Sequence, residues 1–105
     1  MIEQRRHARV PLDRQVSFSV KGETGDRDGL AKDIALGGMF IETGTPAPFG
    51  GRVIIHVELP GQHGTVSLPG VVRWVRDGGM GVQFGLLGAV ETHTITEISR
   101  KHAGG

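Results

Sequence analysis

Apolar residues in this chain recur at every second position in short runs, and that spacing leaves few folds open. Residues 52–59 show it best: Val53, Ile55, Val57 and Leu59 fall on one face, with Ile54, His56 and Glu58 on the other. A period of two is that of an extended strand, whose successive side chains point to opposite faces. Val16, Phe18 and Val20 repeat the pattern against Ser17 and Ser19, and Met80, Val82 and Phe84 repeat it again. Residues 30–34 and 39–41 read as shorter strands. Val66, Leu68, Gly70, Val72 and Trp74 mark one face of a longer strand that kinks at Pro69-Gly70. Glycines stand between these runs, 18 in 105 residues, against about 7% in an average chain. So placed, they serve as turn residues, and residues 21–29, 43–51 and 60–64 read as loops. Asp77-Gly78 is a hairpin signal. Six or seven short antiparallel strands at this spacing suggest a small closed or nearly closed barrel.

The two ends of the chain differ from its middle. Residues 1–14 carry no periodicity, and Pro11 bars a helix through them, so they read as an arm ahead of a barrel over 15–87. Leu87, Val90, Thr94 and Ile98, with Ile95, recur at helical spacing and predict one amphipathic helix over 88–102, packed on the barrel. A length of 105 residues predicts one core over 1–105 with no second domain, which argues against an enzyme carrying its own cofactor domain. Cysteine is absent, so disulfides and thiolate chemistry are excluded. No apolar run reaches the ~20 residues of a membrane span, and no apolar signal stretch opens the chain. The expectation is a cytoplasmic protein without membrane insertion.

Formal charge is only +1, but its distribution is uneven: Arg5, Arg6, Arg9 and Arg14 face only Glu3 and Asp13 at the N-terminus. Such a surplus suits a small dianion and is modest for DNA or RNA, neither of which is expected as a partner. In QRRHARV, Arg5 and Arg9 stand four apart with Arg6 between them. Each guanidinium is a planar fork of donors that can grip a phosphate or the O6/N7 edge of guanine. A plainly solvated basic arm fits the same residues. In KDIALGGMFIET, Asp33 could accept from the N1–H and exocyclic amine of a guanine, and Gly37 and Gly38 permit positive φ and a close approach of a base. An ordinary tight turn fits that string as well. His56, His63, His93 and His102 lack metal-ligand spacing, no Ser, His and acid group stands out as a triad, and so neither metal nor catalytic residues are expected. Trp74, between Val-rich flanks, reads as packing rather than as a ligand platform.

Taken together, in this order, the two motifs resemble the PilZ family. Arg5-x-x-x-Arg9 matches that family's R-x-x-x-R, and Asp33-x-Ala35-x-x-Gly38 matches its [D/N]-x-S-x-x-G. GVVRWVR, GMGVQFGLL and the closing helix resemble its later strands and C-terminus. The resemblance implies an all-β fold, a six-stranded antiparallel barrel with one C-terminal α-helix. It also implies a non-catalytic receptor for cyclic diguanylate (cyclic di-GMP) that needs no cofactor. Arg5 and Arg9 would contact phosphates and guanine edges, with Arg6 as an auxiliary contact, and Asp33, Gly37 and Gly38 would shape the base pocket. Ala35 departs from the pattern, since the family's serine is replaced. One lost hydrogen bond of about 0.5–1.5 kcal/mol lowers affinity about three- to twelvefold. The mechanism this implies is a mobile arm that orders over the nucleotide and presents a new face to a protein partner. Its rival is a degenerate adaptor that binds protein partners without nucleotide.

Overall fold

The computed structural model describes residues 9–61, 64–76 and 78–104. Six strands and a helix follow in order: β1 (Val10–Val20), β2 (Asp26–Ala35), β3 (Gly38–Glu42), β4 (Arg52–Val57), β5 (Val66–Arg76), β6 (Gly79–Phe84) and α1 (Ala89–Gly104). All neighbours are antiparallel, and the order β1-β2-β3-β6-β5-β4 closes because β1 also pairs with β4. The closing seam between β1 and β4 covers Ser17–Val20. Among the described residues no helix is long and apolar enough to cross a membrane.

The inward rows follow the alternation. Ile34, Met39, Val82 and Val72 are partners across four strands, and all lie in the core. Ala31, Ile41 and Met80 form the next inward row. Val53, Ile55 and Val57 of β4 are buried as the spacing predicts, with Leu59 just beyond it, and Phe18 fills the centre with no exposed surface. Gly22, Gly25, Gly50, Gly61, Gly64 and Gly78 all have left-handed φ and sit in the connections, the conformation that makes glycine the turn residue. Ile95 of α1 is fully buried, with Ile98 and, in the linker before the helix, Leu87 packed partly against the core. Val90, expected on the same face, is 57% exposed.

Three departures from the sequence reading are seen, and the last of them comes from a break in alternation. Residues 10–14 belong to β1 and not to an arm: Val10 is buried and pairs with Ile34. The register slips between Pro11 and Arg14, where Asp13 adopts φ +50 and reaches Lys32 at 3.0 Å. That hydrogen bond raises the Lys32 pKa. The in-out alternation nevertheless runs unbroken from Val10 to Val20, and it is Pro11 with the charged Asp13 and Arg14 that hides this part of the strand from a hydrophobic-pattern reading. β2 begins at Asp26, inside the expected 21–29 loop; its polar start is held by pairing with β1 rather than by an apolar face. In β5 a bulge between Val72 and Trp74 turns Trp74 outward. The rest of the expected arm, residues 1–8 with Arg5 and Arg6, lies outside the described residues.

Candidate functional site

The outer face of the barrel carries its own rows between the buried ones. Asp33, Phe40, Gly81 and Trp74 are successive cross-strand partners in β2, β3, β6 and β5, with Pro11 of β1 beside Asp33. The neighbouring row is Ala35, Gly38, Gln83 and Val71. Two stretches far apart in sequence are thereby brought together: Arg9 Nε lies 3.3 Å from Asp33 Oδ1, an oxygen that also accepts from the Phe40 backbone N–H at 3.2 Å. The pair is half-exposed, so as a surface ion pair it contributes at most about 1 kcal/mol to stability. Among the described residues the two Nη groups of Arg9 have no partner.

Beside this pair lies a depression of about 360 Å3, lined by Arg9, Ala35, Gly37, Gly38, Trp74 and Gln83 among others. Four of the seven residues singled out from sequence therefore meet at one place. Asp33 touches it through Arg9, and Arg5 and Arg6 lie outside the described residues. The left-handed backbone expected at Gly37 and Gly38 is not found. Gly38 is required for space: a Cβ there would collide with the Val82 carbonyl of β6. Ala35 is 1% exposed although it faces the depression.

Two residues that the sequence reading did not assign to this place complete it. Arg73, the extra residue of the β5 bulge, donates from Nε to Gln83 Oε1 at 2.6 Å and lines the depression. Both arginines are thus tethered through Nε, which leaves the planar Nη fork of each for an acceptor. Trp74 packs, but on the outer face and not in the buried row of Val72 with which its spacing grouped it. It is 38% exposed and stacks on Phe40 with ring centroids 5.3 Å apart and 14° between planes, and Arg76 lies 4.5 Å over its ring. The outward glycines make this possible: a Cβ on Gly81 would collide with the indole, and one on Gly79 would lie 2.6 Å from Phe40 Cζ. A Trp in one strand opposite Gly in the next was the available signal. The surface is therefore a flat aromatic platform with cations on either side, suited to a planar, anionic ligand.

Elsewhere, a larger depression of about 650 Å3 runs along β1, β4 and β5 and contains none of the motif residues. His56 Nδ1 lies 3.2 Å from Ser67 Oγ, a pairing that sequence spacing gave no sign of. Its Nε2 is 3.9 Å from Asp26, beyond hydrogen-bond distance, so the carboxylate does not orient the ring as a triad requires. Among the described residues no three His, Asp or Glu side chains converge as metal ligands.

Comparison with known proteins gives a consistent result. The fold is similar to the PilZ domain of CeSA from a cellulose-synthesizing bacterium, with TM-score 0.70 and 17% identity over 87% of this chain and 93% of that one. It is similar to the Bacillus subtilis inhibitor of motility MotI/DgrA, with TM-score 0.76 and 17% identity over 98% of this chain and 53% of that one, about half its length. A third likeness is to the PilZ domain of Escherichia coli YcgR with c-di-GMP, with TM-score 0.69 and 18% identity over 95% of each chain. No curated protein sequence matches at a significant level. At these identities the structural likeness is one of fold, but the profile of the PilZ domain matches residues 3–100, and the chain belongs to that family.

Proposed function

We propose that this PilZ domain is a receptor for cyclic diguanylate, which it binds on the outer face of the barrel between Arg9 and Arg73. The observation that carries the reading is the 3.3 Å contact of Arg9 with Asp33, which joins the two motifs at the edge of the depression. Each chemical element of the ligand has a counterpart. The guanidinium forks suit phosphate or the O6/N7 edge of guanine. The Asp33 carboxylate suits the N1–H and exocyclic amine, and Trp74 with the Arg76 guanidinium stacked over it offers a planar surface for a purine. Arg5 and Arg6, shortly before Arg9 in the chain, add donors from the N-terminal segment, whose ordering over the ligand presents an altered surface to a protein partner. The PilZ domain of YcgR, described with c-di-GMP, supports the reading.

Calorimetric titration of the domain with cyclic diguanylate, with cyclic diadenylate as control, tests it directly. A saturable heat with the guanine ligand alone is expected, and no heat at high micromolar concentration ends the proposal. Trp74 is the only tryptophan, so the same titration should quench intrinsic fluorescence, with a midpoint equal to the calorimetric one. Calorimetric binding with unchanged fluorescence would remove Trp74 from the site.

The adaptor reading, without nucleotide, draws on one observation: Ala35 stands where the family has serine. Ala35→Ser separates the two. In a receptor the new hydroxyl should raise affinity about three- to twelvefold. Because Ala35 is 1% exposed, the hydroxyl is desolvated before ligand arrives and should lower the stability of the free protein by about 1 kcal/mol. Thermal melts with and without nucleotide read both effects. An adaptor would show the loss of stability and no gain in binding.

A further inference from the structure

The larger depression, about 650 Å3, crosses the barrel where β1 ends, β4 begins and β6 runs out into the linker before α1. Its walls include Ile54, Val71 and Leu86, and Leu86 is 96% and Ile54 43% exposed. These apolar side chains lie outside a barrel whose interior is already filled, so folding does not account for their clustering. Its charge has one sign. Lys21 and Arg52 line it, and neither has an ion-pair partner among the described residues. The acid that lines it, Glu23, is neutralised by Arg27 at 2.7 Å. Among the described residues one backbone carbonyl is also open. Gly85 N–H donates to the Pro69 carbonyl at 2.8 Å, and proline has no N–H to return the bond to the Gly85 carbonyl.

We infer that this groove is a docking site for an acidic, apolar peptide segment of a protein partner. Leucine-like side chains of the segment would lie against Ile54, Val71 and Leu86, with flanking carboxylates on Lys21 and Arg52. The charge complementarity selects an acidic partner and disfavours a second copy joined groove to groove, which would oppose Lys21 and Arg52 to themselves. The open Gly85 carbonyl favours a peptide over an acyl chain, because only the peptide brings an N–H. The groove also adjoins the nucleotide site: Arg52, Val71, Gln83, Gly38 and Ala35 form one continuous cross-strand row. Docking here stands on the groove's own residues and is tested without nucleotide, so its failure and that of the receptor reading are distinguishable.

The test is an NMR titration of the full chain with a blocked octapeptide of alternating glutamate and leucine, beside the same peptide with lysine for glutamate. Saturable amide shifts centred on Ile54, Val71 and Leu86 are expected with the glutamate peptide alone. Leu86→Ser and Arg52→Glu, both exposed and therefore compatible with folding, should each weaken it about tenfold. No saturable shift at millimolar peptide, equal binding of the lysine peptide, or unchanged affinity in Leu86→Ser would each overturn the proposal. A concentration-dependent dimer abolished by Leu86→Ser would overturn it in favour of self-association. Co-sedimentation with phosphatidylglycerol vesicles abolished by the same change would overturn it in favour of a membrane surface.

Discussion

Arg9→Ala should weaken cyclic diguanylate binding about 10- to 150-fold, because a charge-assisted fork on phosphate or guanine is worth about 1.5–3 kcal/mol. Arg14→Ala should leave affinity nearly unchanged. The two residues lie close in sequence, but Arg14 donates from Nη1 to the Glu58 carbonyl at 3.2 Å, away from the depression. The loss at Arg9 should also be clean, since its half-exposed pair with Asp33 contributes at most about 1 kcal/mol to folding. Arg9→Lys should recover little, because an ammonium keeps the charge and loses the planar fork. Calorimetry on the three variants at one ionic strength gives the answer, as salt screens any diffuse contribution. Equal losses at Arg9 and Arg14 would reduce the site to general positive potential.

The second large effect is on stability. Gly38→Ala should cost about 3 kcal/mol, the upper part of the range for overpacking, and lower Tm by about 10–20 °C. The neighbour that a Cβ would strike is a ladder carbonyl, that of Val82, and not the tip of a side chain that can rotate away. Gly44→Ala is the control: open space surrounds that position and its φ is not left-handed, so stability should hold or rise slightly. Melting curves of the two variants decide the matter. A Gly38→Ala protein that melts normally yet fails to bind would mean that this glycine serves the ligand and not the fold. If it melts early, loss of binding in that variant says nothing about contact with nucleotide.

The barrel was legible because most of its strands keep strict parity, as β4 does from Val53 to Val57, and because the turns concentrate left-handed glycines. The site was legible only in part, for a physical reason. Three register breaks, at Leu12–Asp13 in β1, Lys32 in β2 and Arg73 in β5, lie at the site or next to it. A bulge re-aims the residues that follow it, and a period-two reading then places them on the wrong face. Trp74 was grouped on the face of Val72 in this way. Asp33 and Arg9 were found through motif chemistry instead, which does not depend on parity. Arg73 and Gln83 carry no motif, and their pairing exists only because β5 and β6 are adjacent in the barrel.

The bulge at Arg73 makes the length of β5 a matter of phase. Were β5 to keep Arg73 in a regular ladder, the indole of Trp74 would swing into an interior already occupied by Met80 and Val82; with Arg73 deleted, Trp74 would follow Val72 directly and stay opposite Gly81 on the outside. Loss of the bulge residue therefore preserves the face of Trp74 and removes only Arg73 from the depression.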